Sequence, residues 1–279
     1  MNFVIIGGDA AGMSAASRAK RSMPDLKVTV LEKTRDVSYS ACGMPYNIAE
    51  PDREIEDLVV RHARVFRQKQ DINLLTGHCV DNIDPAGKTV GGISMDGKKF
   101  EFGYDKLLIA TGASPIIPNL PGFDLPGVLG LKSLEDGRKI KQFLKARSVK
   151  KVIVIGMGYI ALEMVEALRA INIEVDMVKP RPVFLPWLDE QMAQVVMDEV
   201  EMNGVTMYPG HKVEGIEQSA ERLKVICSDL TLEGDMVLAA IGVKPNSDMA
   251  EKAGIELSIK KSIAVDRGCL LYTSPSPRD

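Results

Sequence analysis

Two stretches of this chain share one design: an apolar run, a turn of small residues, then a helical pattern. The first reads Phe3-Val-Ile-Ile-Gly7-Gly8-Asp9-Ala10-Ala11-Gly12, and the second Lys151-Val-Ile-Val-Ile-Gly156-Met-Gly158-Tyr159-Ile160-Ala161-Leu-Glu163. Glycine at such a turn lets the backbone bend tightly and approach a pyrophosphate, whose charge rests on the N-terminus of the helix that follows. Each stretch is thereby committed to a strand–turn–helix unit of a parallel sheet. Two such units predict two bound dinucleotides, and two dinucleotides on one polypeptide point to electron transfer between them.

The flanking pattern supports the first motif. Asn2 to Gly7 reads as a buried parallel strand, Gly12 to Arg21 as a helix, and Lys27 to Glu32 as the next strand. Glu32 lies 20 residues after Gly12 and can accept hydrogen bonds from a ribose 2′-hydroxyl. The strict G-x-G-x-x-G is not met, because Asp9 takes the middle glycine's place. In the second motif the third glycine is Ala161, which still permits close helix–strand packing. Its second strand, Glu174 to Val178, is followed by Lys179 and then Arg181 rather than by an acid. These bases either favour a 2′-phosphate, hence NADPH over NADH, or are solvated loop charges.

Between the motifs lie a loop with Cys42, a helical stretch near Glu56 to Gln70, and several short strands. Tyr104 to Gly112 reads as a buried strand ending at Thr111-Gly112. Pro115, Pro118, Pro121 and Pro126 then mark a link between domains. Asp235 to Gly242 repeats that strand's shape as the return from the second unit. Short strand-like pieces over Gly254 to Gly268 are expected to rejoin the first domain. Cys269 to Asp279 is polar and rich in Pro and Ser, without core periodicity, and reads as a non-native tail.

The bulk properties narrow the class. The chain has 279 residues, 45% hydrophobic and 26% charged, with a net charge of -3. That leaves no basic field for nucleic acid. No apolar stretch approaches the roughly 20 residues that span a membrane, and no signal-peptide pattern opens the chain. The four cysteines, Cys42, Cys79, Cys227 and Cys269, make no CxxC or metal spacing. A reduced, cytoplasmic enzyme without a metal centre is expected, any reactive thiol acting singly. Cys79 and Cys227 read as core thiols. His62, His78 and His211 are scattered and receive no catalytic role.

Ser38-Tyr-Ser-Ala-Cys42-Gly43-Met-Pro45-Tyr46 resembles the S-x-x-x-C-G signature of single-cysteine flavoprotein disulfide reductases. These are FAD- and NAD(P)-dependent pyridine nucleotide-disulfide oxidoreductases, and the likeness is nearest to the coenzyme A-disulfide reductase and NADH oxidase branches. It also covers Gly7 to Lys33, Tyr104 to Pro115, Gly156 to Glu163 and Gly242 to Asn246, in the family's order. The resemblance implies an α/β fold of two Rossmann-like domains, the NAD(P) domain inserted into the FAD domain. The boundaries are 1–114 for the first part of the FAD domain, 115–245 for the NAD(P)H domain, 246–268 for an incomplete return and 269–279 for the tail.

By the same resemblance Gly7, Gly8, Ala10, Ala11, Gly12, Glu32 and Lys33 hold FAD, with Val80, Thr111 and Gly112 against it. Gly156, Gly158, Tyr159, Ile160, Glu163, Lys179 and Gly242 receive NAD(P)H. Cys42 is the redox thiol, against the alternative of a buried structural cysteine. Without a second cysteine nearby it must pair with an outside thiol or form a sulfenic acid. Ser38 joins the substrate side. Ser14, Arg18 and Arg21 share one helix face, either for the phosphates of coenzyme A or as a solvated basic stripe. The acceptor is a coenzyme A disulfide or persulfide, or else oxygen or peroxide. An inactive nucleotide-binding remnant is the third possibility. Relatives continue into a second FAD-contacting segment and a dimerisation domain, so the chain reads as a C-terminally truncated piece of a homodimeric enzyme.

Overall fold

The computed structural model describes residues 1–271. Contacts divide it into two units: residues 1–40, 59–114 and 244 onward form the first, and 41–58 with 115–243 the second.

The first unit is built on a four-stranded parallel sheet, in the spatial order Asn73–Thr76, Lys27–Glu32, Asn2–Ile6, Lys106–Ile109. Val4, Ile5, Ile6, Val28, Val30 and Leu31 are all buried, as expected for central parallel strands covered on both faces. The helix Ala10–Ser22 turns Met13, Ala16 and Ser17 inward, while Lys20 and Arg21 sit in its last turn, where positive charge suits the helix dipole. A three-stranded antiparallel sheet, His78–Asp84, Thr89–Ser94 and Lys99–Gly103, precedes the fourth parallel strand in sequence.

The second unit repeats the plan. Its parallel sheet runs Val205–Pro209, Glu174–Lys179, Lys151–Ile155, Met236–Ala239, with Val128–Gly130 added at the far edge. An antiparallel sheet of Val213–Ser219, Arg222–Cys227 and Thr231–Gly234 again precedes the fourth strand in sequence. In both units the strand that leads into the glycine turn, Asn2–Ile6 or Lys151–Ile155, lies between the strand that follows its helix and the strand that follows the antiparallel sheet. Chain crossovers therefore diverge at its C-terminal end, which is where open α/β sheets form their ligand crevice. The two glycine turns follow Ile6 and Ile155 at those ends.

Three local expectations change. The helical stretch near Glu56 to Gln70 is broken into a 3-10 turn, Ile55–Leu58, and a helix, Ala63–Lys69. Val59 bridges Tyr39, and the N–H groups of Val60 and Arg61 both donate to Ser38 O, so the chain between bends away from a helical path. Residues 254–268 supply a single bridge, Leu257 to Ile263, and a 3-10 turn, Ile259–Lys261, rather than strands. Ala41–Leu58 groups with the second unit although its sequence neighbours lie in the first. Of the expected tail, Cys269 to Leu271 follow a turn in which Asp266 Oδ1 accepts from Gly268 N and Leu270 N; residues 272–279 lie outside the described residues.

Candidate functional site

Both glycine turns are made the same way. Gly7 N donates to Leu31 O and Ala110 N to Ile6 O, each at 2.8 Å. Gly156 N donates to Val178 O and Ala240 N to Ile155 O, also at 2.8 Å. Gly7 has φ of 107° and Gly156 of 120°, in the region that favours glycine. A Cβ on Gly7 would lie 2.1 Å from Ala110 O, and one on Gly156 2.3 Å from Ala240 O. These two glycines are therefore required by the protein's own backbone. Gly158 differs: nothing lies within 4 Å of where its Cβ would stand.

The helices after the two turns begin uncapped. Of the four longest helices, Leu134–Ala146 starts with a Ser133/Asp136 capping box and Glu190–Met202 with the Asp189 carboxylate on Met192 N. Ala10–Ser22 and Tyr159–Ala170 have no side-chain cap. Asp9 stands in the N-cap position, yet its carboxylate accepts from Tyr39 N at 3.3 Å instead of capping. That explains an acid where a glycine is usual: it ties down the loop leading to Cys42. An anionic group at either helix start would meet backbone N–H donors and the positive end of the dipole.

Glu32 is buried, and its carboxylate accepts from Gly8 N at 2.7 Å and from Thr34 N and Oγ1 at 2.7 Å each. A pocket of about 250 Å³ brings Glu32 together with Gly7, Lys33, Val80 and Thr111. The sequence motifs single out those five; His78, Cys79, Asn246, Asp248 and Met249 line the same wall without such a signal. Asn246 carries the least local signal. Its Nδ2 donates to Thr111 O at 2.8 Å, its O accepts from Thr111 Oγ1 at 2.7 Å, and its N donates to Gly112 O at 3.0 Å. Residues 135 apart in sequence thus fix the Thr111-Gly112 turn.

At the second turn Ala161 is fully buried against the sheet, Ile160 is half-buried, and Tyr159 and Glu163 are exposed. The Tyr159 ring packs on Trp187 at 5.1 Å between centroids. Lys179 Nζ donates to Val183 O at 2.6 Å. Burial, and then the like charge of Arg181, pull its pKa below the usual lysine value. Gly242, with φ of 128°, accepts a hydrogen bond from Ile116 N.

Residues 1–274 match the family described as pyridine nucleotide-disulphide oxidoreductase. This chain belongs to that family. It is similar to an NADH oxidase of Methanocaldococcus jannaschii, 34% identical over 259 residues that cover 92% of this chain and 58% of the other. It is also similar to the coenzyme A disulfide reductase of Staphylococcus haemolyticus, 31% identical over 264 residues that cover 94% of this chain and 59% of the relative. Among solved structures, an NAD-dependent persulfide reductase from A. fulgidus matches with a TM-score of 0.90 at 35% identity, covering 95% of this chain and 50% of that one. The chain spans little more than half the length of these relatives.

The thiols of this chain are sharply differentiated. Cys42 is exposed, on the 3-10 turn Ala41–Gly43 that leads into the short helix Met44–Ile48. Ser38, with φ of 49°, has its backbone N–H on Gly8 O at 3.1 Å, so the cysteine loop begins tied to the first glycine turn. Cys79, expected in the core, is exposed on the strand His78–Asp84, because the alternation of that strand turns it outward. Cys227 is buried as expected. Its thiol is pushed up to about 11 by burial, with Asp229 and Glu214 adding to the shift. A raised thiol pKa withholds the thiolate until the pH climbs toward that value, so at pH 8 roughly one Cys227 in a thousand is reactive. Iodoacetamide at pH 8 is expected to label Cys42, Cys79 and Cys269 in the folded chain and spare Cys227 until denaturant is added. Peptide mass spectrometry reads this directly, and early labelling of Cys227 would contradict the burial.

Ser14, Arg18 and Arg21 are exposed along one face of the first helix, and neither arginine has an ion-pair partner among the described residues. Also among the described residues, no cluster of His, Cys, Asp or Glu is arranged to hold a metal ion, and no helix is long and apolar enough to cross a membrane.

Proposed function

We propose that this chain holds FAD at the first glycine turn and NAD(P)H at the second. Electrons pass from NAD(P)H through FAD to Cys42 and on to a coenzyme A disulfide or persulfide. The observation that carries the reading is the duplication: two backbone turns with matching hydrogen bonds, each opening an uncapped helix at the switch point of a parallel sheet. Bound FAD would accept hydride from the nicotinamide and release electrons toward sulfur. The helix starts at Ala10 and Tyr159 would hold the pyrophosphates. The Glu32 carboxylate, with lone pairs beyond its present three donors, would accept from ribose hydroxyls. Lys33, Val80 and Thr111 line the same pocket. Lys179 and Arg181 would take a 2′-phosphate, which supports NADPH.

Cys42 acts as thiolate on one sulfur of the acceptor disulfide, forming a mixed disulfide and releasing one thiol. Two further electrons return Cys42 and the second sulfur to thiols. Arg18 and Arg21, exposed and without ion pairs, support a phosphate-bearing acceptor. A second reading ends the path on oxygen or peroxide, with Cys42 cycling through sulfenic acid. The exposure of Cys42 and the name NADH oxidase carried by one relative favour it.

The test is the visible spectrum of the purified chain before and after anaerobic NADPH. A flavin band that bleaches is the expected result. Subsequent reoxidation by coenzyme A disulfide, rather than by oxygen alone, separates the two acceptors. A chain that stays colourless when given FAD would overturn the proposal and leave an inert nucleotide-binding protein.

A further inference from the structure

The segment Ala41–Leu58 cannot hold its own shape. It consists of two 3-10 turns and the five-residue helix Met44–Ile48. So short a helix does not repay its nucleation cost, and its last carbonyls have no partner within it. The second unit supplies what is missing from one face of the helix Leu134–Ala146. Gly137 gives close approach: a Cβ there would lie 3.0 Å from Ile55 Cδ1 and 3.6 Å from Met44 Sδ. One turn later Lys141 reaches across. Its Nζ donates to Asn47 O at 2.9 Å, Asn47 Oδ1 at 3.0 Å and Glu50 O at 2.9 Å, and also to Arg53 O. Asn47 is wholly buried, and its Nδ2 donates to Glu54 O at 2.9 Å. Arg138 adds an outer pair to Glu56 at 2.8 Å.

We infer that Lys141 is a positioning residue for Cys42: its ammonium gathers Asn47 O from the helix after Cys42 together with the Glu50 and Arg53 carbonyls of the chain that follows, and through that helix it fixes the orientation of the thiol. The inference rests on the reading of Cys42 as the reacting thiol. An ammonium has three donors that can spread from one point over four acceptors, whereas the planar fork of an arginine cannot converge on them. Burial lowers the pKa of Lys141, with the Glu54 and Glu50 carboxylates opposing, which is the mark of a cation drawn into the fold rather than waving from it. Without it, Asn47 Oδ1 and Arg53 O lose the donor it supplies, Asn47 O and Glu50 O keep only local backbone donors, and the segment is tied to the helix Leu134–Ala146 by the outer Arg138–Glu56 pair and apolar contacts.

Thiol–disulfide exchange is sensitive to orientation, because the thiolate must align with the sulfur–sulfur bond it attacks. In the purified chain at fixed pH, Cys42 thiolate attacks coenzyme A disulfide, one Cys42–coenzyme A disulfide forms and one coenzyme A thiolate leaves. Site-resolved mass spectrometry follows it, with exposed Cys79 as internal reference. Lys141→Met, which keeps the apolar stem, is expected to slow exchange at Cys42 by about tenfold and leave Cys79 unchanged. A loss of structure in the second unit would instead expose Cys227, which is buried there, and bring it into exchange. A Cys42 rate equal to that of the unaltered chain overturns the inference. If Lys141→Met does not fold, Lys141→Arg decides, because a normal Cys42 rate there is equally fatal. A Cys42 that fails to exchange in the unaltered chain sinks the functional reading and this inference together, whereas a reactive Cys42 indifferent to Lys141 sinks the inference alone.

Discussion

Replacing Gly7 by alanine is expected to cost on the order of 3 kcal/mol and to lower the melting temperature by roughly 10 °C. The cost has two sources. The φ of 107° lies where an L side chain is strained, and the new Cβ would sit 2.1 Å from Ala110 O. Neither backbone can retreat, because Gly7 N is bonded to Leu31 O and Ala110 N to Ile6 O, within a sheet buried on both faces. Gly158→Ala provides the contrast. Its Cβ would enter open space, so stability should fall by about 1 kcal/mol or less, the ordinary penalty for alanine at a helix N-cap, while NAD(P)H affinity drops. Thermal melts of both variants, with a nucleotide titration of the second, check the pair. Equal melting temperatures for the two would refute the distinction between a glycine demanded by the fold and one demanded by a ligand.

Cys42→Ser is expected to bring turnover with coenzyme A disulfide to background while leaving reduction of the flavin by NAD(P)H in place. Serine matches the cysteine in shape but ionises far too weakly to attack a disulfide at neutral pH. Because Cys42 is exposed, the change leaves no cavity, so lost activity would not reflect lost stability. Cys269→Ser is the matched control: that thiol is also exposed, it lies outside the Glu32 pocket, and its loss should leave turnover intact. Stopped-flow absorbance separates the two half-reactions. Persistent disulfide reduction in Cys42→Ser would remove the thiol from the pathway. Loss of both half-reactions would shift its role to flavin binding.

The sheet cores and both turns were legible in the residues because their causes are local. Val4 to Ile6 and Val152 to Ile155 are unbroken apolar runs, which only strands covered on both faces can use. A glycine before a helical pattern states a demand for positive φ that no neighbour can supply. Glu32 could be placed by counting, since a strand, a turn and a helix fix its distance from Gly12. The partners of those elements were not legible. Asn246 meets Thr111 across 135 residues, and nothing around either one encodes the other. The run from Glu56 to Gln70 has helical composition, yet Ser38 O captures the N–H groups of Val60 and Arg61 and breaks it. Cys79 looks like a core residue by type and is turned outward by the pleat. The fastening of the Cys42 segment by Asn47, Gly137 and Lys141 depends on which helix the fold delivers to it. The two strand–turn–helix units and the residues at their turns follow from short stretches of sequence, because propensity, sterics and burial pattern act over a few residues. Which distant groups complete the pocket and fasten the Cys42 segment depends on tertiary contacts, which exist only after the chain has crossed its sheets.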